Sequence, residues 1–328
     1  MKILILGGTR FLGRHLATEV LRREHALTLY DPERESAFGE VAEEIVEDLA
    51  ELGEHRWDAC IDTTTRNADE VTALATKLKD RVGRYIYISS IDVHVHDSVS
   101  CRTGPEGRAL CGHGARKAES EAVLEAVLGD RLTIVRPGLL IGPHDQSGRF
   151  AYWATRVLDG GEILAPGPRD AALQIVDVRD VANFTVAIAE QQLEGKFDVV
   201  GPEQSTTFGE FLDRLGEVAG DWGSITWVDN GFLLEHDVEP WNHIPMWLTE
   251  EGPRSVVSID GHAALEAGFA PRTTVETLTD TLAWFRATDR VDESEGDFLD
   301  RSRERELLSA WHRIESLARQ PLAAGHEI

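Results

Sequence analysis

The chain has 328 residues, 42% of them hydrophobic and 28% charged, values close to those of ordinary globular chains, which excludes a disordered chain or a fibrous repeat. Its 33 basic and 58 acidic side chains leave a net charge of −25, a field that repels nucleic-acid backbones and anionic lipid surfaces. Apolar runs fall far short of the roughly 18 residues that span a bilayer, and Gly7 and Gly8 end the first one too soon for a signal peptide, so the chain reads as cytoplasmic.

In chain order, Met1–Leu6 reads as a buried strand and Phe11–Arg23 as a helix with Leu12, Leu16, Val20 and Leu21 on one face. Strands follow at Ala26–Tyr30, near Glu44–Glu47, at Trp57–Asp62 and at Arg84–Ser89, with a helix over Ala68–Lys79. Arg116–Leu128 reads as a helix and Leu132–Arg136 as a strand. Alternation of short apolar strands with helices predicts an α/β fold, a Rossmann-type doubly wound parallel sheet. Beyond Pro137, Gln174–Val178 reads as a strand returning to the core and Val181–Gln191 as a helix. The Trp- and Pro-rich stretch from Gly201 to Trp284 suits a smaller substrate lobe. The expected division is 1–138 plus about 172–200 for the dinucleotide-binding part, and 139–171 plus about 201–290 for the lobe. An acidic linker and terminal helix complete the chain over 291–328, the helix spaced by Leu307, Trp311, Ile314 and Ala318.

Gly7-Gly8-Thr9-Arg10-Phe11-Leu12-Gly13 lies between the first strand and the first helix. Glycine there permits the turn, lets backbone approach a pyrophosphate and lets helix pack on strand, while the helix N-terminus offers free N–H groups to the anion. Asp31 follows Gly13 by 18 residues, at a strand end where an acid reaches the adenosine ribose. Asp48 and Leu49 are placed for the adenine side. Asp31 favours NAD; Arg10 and Arg34 would instead suit the extra phosphate of NADP. Cys60, Cys101 and Cys111 form no CxxC pair, and His94, His96, Cys111 and His113 fit no standard ligand spacing, so neither a disulfide framework nor a metal site is expected.

From Met1 to about Trp284 these motifs resemble the extended and atypical short-chain dehydrogenase/reductases, the NAD-dependent epimerase/dehydratases, whose atypical branch includes a chloroplast RNA-binding group. Ile88-Ser89-Ser90-Ile91-Asp92-Val93 is similar to the strand end that carries the family's catalytic Ser or Thr. Val135-Arg136-Pro137-Gly138 and Ile141-Gly142-Pro143 resemble its nicotinamide-side loop, and Gln174–Ala182 its strand and helix behind the substrate lobe. The resemblance implies Ser90 as the group that polarises the substrate oxygen, Lys117 on the nicotinamide ribose, and Ser89 and Pro137 beside the cofactor. It implies a tyrosine four residues before Lys117 as the proton donor or acceptor. That position is His113.

The exchange changes the chemistry. Beside Lys117 and an oxidised nicotinamide the imidazolium is disfavoured, and neutral imidazole is a poor donor to an alkoxide but a competent base. Ketone reduction is weakened; proton abstraction, alcohol oxidation or elimination is less affected. Asp92, two residues past Ser90, is either a second member of a proton-transfer pair or a cap on the loop that follows. Arg149, Trp153, Trp241, His243 and Trp247 are candidate substrate contacts, with packing as the alternative for the aromatics and an anionic group as the partner for Arg149. The reading is an NAD-linked oxidoreductase or epimerase/dehydratase acting on a small hydroxyl or carbonyl compound through a His-x-x-x-Lys site. Neither a nucleic acid nor a membrane is an expected partner, and a homodimer is left open. The alternative is a dinucleotide-binding sensor or scaffold without turnover.

Overall fold

The computed structural model describes residues 1–8, 10–30, 44–46, 53–64, 67–96, 105–201, 206–220, 222–248, 259–288 and 297–318. In chain order they form β1 (Lys2–Leu6), α1 (Phe11–Arg22), β2 (Ala26–Tyr30), β3 (Glu44–Val46), β4 (Trp57–Asp62), α2 (Ala68–Leu78), β5 (Val82–Ile88), α3 (Val93–His96), α4 (Pro105–Leu128), β6 (Leu132–Pro137) and β7 (Leu139–Ile141). There follow α5 (Arg149–Asp159), β8 (Glu162–Pro166), β9 (Ala172–Leu173), β10 (Ile175–Asp177), α6 (Val178–Gln191), β11 (Gly195–Val199), β12 (Thr206–Thr207) and α7 (Phe208–Ala219). The last are β13 (Ser224–Val228), α8 (Asn230–Glu235), α9 (His262–Glu266), α10 (Thr274–Thr288) and α11 (Arg301–Ala318).

Seven strands make one sheet in the order β11-β6-β5-β4-β1-β2-β3, and every pairing in it is parallel. The fold is therefore the expected α/β doubly wound type. Its inner strands are covered on both faces, which is why they read as near-continuous apolar runs. One face packs against α1 and α6 through Leu12, Leu16, Val20, Val181 and Val186. The other packs against α2 and α4 through Val71, Leu74, Leu78 and Leu124. Winding reverses between β1 and β4, where Leu6 is in register with Asp62. In open α/β sheets ligands bind outside the strand C-termini at such a reversal. A third apolar cluster is built from α5, α7, α10, α11 and β8, around Trp153, Phe211, Leu215, Leu282 and Leu307.

Several elements differ from the sequence expectation. Helix α4 begins at Pro105 rather than Arg116; Gly112 and Gly114 weaken its propensity, yet the helix runs through them because Gly114 is pressed against the Asp92 backbone. The strand around Gln174–Val178 is β10, which pairs with β7 outside the seven-stranded sheet. The strand that does return to the sheet is β11, in register with β6 from Thr133 to Pro137. Helix α6 starts three residues early, at Val178, because the Asp177 carboxylate caps it by accepting from the Arg179 N–H at 2.8 Å. On α11, Leu307 and Leu308 are buried, whereas Ile314 is 47% exposed and does not belong to the docked face.

Candidate active site

The glycine loop sits at the winding reversal. Gly7 has φ +80°, a left-handed conformation. A Cβ on Gly13 would lie 2.3 Å from the Gly7 carbonyl oxygen, so helix α1 enters against the loop as closely as backbone allows. Arg10 is the residue before the helix, its side chain makes no capping bond, and the first turn carries no acid. The first-turn N–H groups of α1 are therefore free of a competing acid on their own helix, as an anion site at a helix N-terminus requires. Gly8 is buried beside Leu29. Thr9, Asp31, Asp48 and Leu49 lie outside the described residues.

The second half of the site is made where β5 ends. Ser90 and Asp92 follow the strand, and the Asp92 N–H donates to Ser90 Oγ at 3.2 Å. Helix α4 passes so close that a Cβ on Gly114 would stand 2.2 Å from the Asp92 carbonyl oxygen. This approach brings the neighbouring His113 to Asp92: Nδ1 lies 3.0 Å from Oδ2. The pair is partly exposed, at 36% and 20% of the side chains, so it is reachable by a small molecule. One turn further on, Lys117 is buried, and its Nζ donates to Ile88 O at 2.7 Å and Thr64 O at 3.3 Å, 4.7 Å from the centre of the Tyr87 ring. Burial pushes its pKa down to about 8, against the opposing support of Asp62 and Glu121.

The structure thus brings Ser90, Asp92, His113 and Lys117 to one end of the sheet. Ser89 is different. Its hydroxyl is buried and donates to Glu121 Oε1 at 2.5 Å, as part of a polar network. Glu121 also takes Arg136 at 2.5 and 2.8 Å. Arg136 lies 3.8 Å from Asp198, which holds His94 Nε2 at 2.8 Å. Sequence reasoning missed Glu121, although its i,i+4 spacing from Lys117 was visible. Pro137 is buried at the end of β6, and its carbonyl accepts from the Ile91 N–H at 3.2 Å, fixing the strand end that carries Ser90.

On the substrate side, Arg149 remains a candidate. Its guanidinium lies 5.0 Å from the centre of the Trp241 ring. Burial lowers its pKa from the ordinary arginine value, with Asp145 and Asp92 supporting the charge. Asp145, also missed in the sequence, is a half-buried carboxylate whose pKa is raised by desolvation despite its bonds to Ser147. Trp153 and Trp247 are corrected: at 0% and 2% exposure they lie in the apolar cluster, their indole N–H groups donating to Pro245 O and Asn230 Oδ1, and have no face left for a substrate. His243 is engaged locally, its Nδ1 accepting from the Glu239 N–H at 2.9 Å. It closes a turn.

Residues 3–201 match the NAD dependent epimerase/dehydratase family. The chain belongs to that family. The matched span holds the glycine loop, Ser90, His113 and Lys117. Among solved structures, the fold is similar to that of a UDP-glucose 4-epimerase of Thermus thermophilus crystallised with NAD, at 18% identity and a TM-score of 0.65 over 88% of this chain and 100% of that one. A dTDP-glucose 4,6-dehydratase of Bacillus anthracis, in complex with NAD, is similar at 14% identity and a TM-score of 0.65, over 88% and 97%. A chloroplast stem-loop binding protein of 41 kDa from Arabidopsis thaliana is 23% identical over 241 residues, 67% of this chain. The match spans 63% of that relative, less than two thirds of its length. The family is NAD dependent, and the loop fits the cofactor: Gly7 takes the left-handed turn, and the absence of a side chain at Gly13 lets α1 start directly against the loop, the backbone arrangement that a pyrophosphate site at a helix N-terminus requires. None of the helices in the described residues is long and apolar enough to cross a membrane.

Proposed function

We propose that this member of the epimerase/dehydratase family oxidises a hydroxyl carbon of a nucleotide sugar, with the His113–Asp92 pair as the base in place of the family's tyrosine. The observation that carries the reading is the 3.0 Å contact between His113 Nδ1 and Asp92 Oδ2. With a carboxylate as partner, Nδ1 carries the hydrogen, and Nε2 keeps the lone pair that takes a proton. Asp92 then stabilises the positive charge that develops on the ring. Ser90 Oγ accepts from the Asp92 N–H, which leaves its own hydrogen to donate to the substrate oxygen. The Lys117 ammonium has one N–H left beyond its two carbonyl partners, and in this reading it donates to the cofactor ribose. Bound NAD supplies the acceptor for the hydride that leaves the same carbon. Arg149 stacked on Trp241 suits the diphosphate of a nucleotide sugar. The plant relative's name refers to a stem-loop, but the −25 net charge opposes a phosphate backbone, and RNA is not proposed as the ligand.

The test is incubation of the purified chain with NAD and, as probes, UDP-glucose, UDP-glucuronic acid and dTDP-glucose, following reduced nicotinamide by absorbance and the sugar by NMR. Hydride transfer or a changed sugar with at least one probe is expected. Gly13→Val should abolish NAD binding in calorimetry, because the new side chain meets the Gly7 carbonyl. NAD binding without chemistry on any nucleotide sugar would favour the sensor reading instead.

A further inference from the structure

Asp62 is fully buried at the C-terminal end of β4, on the winding reversal, with no part yet in the chemistry. A buried carboxylate is costly unless it is hydrogen-bonded and balanced by a cation. Its hydrogen bonds come from the Tyr85 hydroxyl at 2.6 Å and from the Thr64 N–H and hydroxyl at 2.9 and 2.6 Å. None of these donors is charged. Thr64 in turn presents its carbonyl to Lys117 Nζ at 3.3 Å. On the other side, the Thr63 hydroxyl lies 2.9 Å from Leu6 O and 2.8 Å from Gly7 O, so the same turn grips the root of the glycine loop.

We propose that Asp62 is the counter-charge and positioning residue of Lys117, and that the Asp62-Thr63-Thr64 turn locks the buried ammonium and the glycine loop into one unit. The other carboxylate near Lys117, Glu121, is already paired with Arg136 at 2.5 Å. Among the described residues Asp62 makes no direct ion pair; the Thr64 turn joins it to Lys117, whose charge it supports from beyond contact distance. The groups facing this pair are Tyr85 and Tyr87 on β5, Cys60 on β4 and Glu121 on α4. Burial pushes the Cys60 thiol and the Tyr85 phenol up, and Asp62 adds to both shifts. These groups stay neutral and do not replace it. The role of Lys117 toward the cofactor rests on the function proposed above; the pairing itself does not.

The test follows the Lys117 side chain by NMR in the full chain labelled on lysine. The chain has five lysines, so Lys117→Arg assigns the signal. In the wild type burial should bring the ammonium's midpoint down to about 8. In Asp62→Asn the midpoint should fall by about one pH unit or more, the scale of a lost ionic partner, and NAD affinity near neutral pH should fall with it. An unchanged midpoint in a folded Asp62→Asn chain overturns the proposal. Should Asp62→Asn not fold, Asp62→Asn/Lys117→Met decides. Recovery of the fold supports a charge pair, because removing both partners costs less than stranding one; no recovery means Asp62 acts on the fold alone and overturns it. The titration needs neither NAD nor substrate, so it holds or fails independently of the proposed reaction.

Discussion

In the proposed mechanism His113 stands in for the family's tyrosine. The tyrosine of the family carries its own acidic proton; an imidazole needs a partner to fix its tautomer, and Asp92 is at 3.0 Å to do so. Asp92→Asn keeps the size but permits the opposite tautomer. It should lower kcat while leaving calorimetric NAD affinity unchanged, and lower it less than loss of the ring itself. Equal kcat in wild type and Asp92→Asn would reduce Asp92 to a loop residue. The glycine loop was legible in the sequence because its spacing is local, and Ser90 and Lys117 were candidates through the family resemblance. The pairing of residues 92 and 113 was legible only as one of two readings of Asp92, since their contact depends on the missing Cβ of Gly114 against the Asp92 carbonyl. Trp153 and Trp247 misled because an aromatic's composition does not tell whether tertiary packing has enclosed it.

At the level of elements, β2 and β4 were readable to the residue as short apolar runs between turn residues. Strand β11 was not. It lies at the edge of the sheet, and only Phe197 and Val199 of its five residues are buried, so it carries too little apolar pattern to stand out. The terminal helix was visible through Leu307 and Trp311, but its anchor was not. Glu304 is 0% exposed; its Oε1 accepts from the Leu164 N–H at 3.0 Å, and its Oε2 lies 3.3 Å from Arg156 Nε and 3.0 Å from Arg301 Nη1. Glu304→Ala strands a buried guanidinium and should cost about 3–5 kcal/mol, read as a lower urea midpoint. A midpoint equal to wild type would mean that α11 is not held by this pair.

Across the whole molecule, a ladder of rings joins the cofactor loop to the helices around the third core. Phe11 and His15 on α1 are 6.3 Å apart, His15 and His144 5.8 Å, and His144 and Trp284 on α10 5.2 Å. His15 also has Nε2 2.8 Å from the Pro143 carbonyl. Burial lowers its pKa below the ordinary 6.5, while the Pro143 contact and Asp177 partly oppose the shift and Arg179 and Arg14 add to it. Between the lowered value and 6.5 the unfolded chain binds the proton and the folded chain does not, so folding stability falls as pH falls through that window. His15→Gln should flatten the stability profile below about pH 6.5 relative to wild type, measured by urea titrations at several pH values. Parallel profiles would show that His15 does not carry this dependence. The ladder was hidden in the sequence because its members lie up to 273 positions apart, from Phe11 to Trp284.

The central claim is that His113 moves the proton. Single-turnover formation of reduced nicotinamide, with NAD saturating and a reactive nucleotide sugar, compares wild type with His113→Phe directly. A general base contributes roughly 10²–10⁴-fold, so the variant should bind NAD as wild type does and transfer hydride slower by about that factor. A His113→Phe rate within a few-fold of wild type would contradict the account and leave proton transfer to Asp92 or to water.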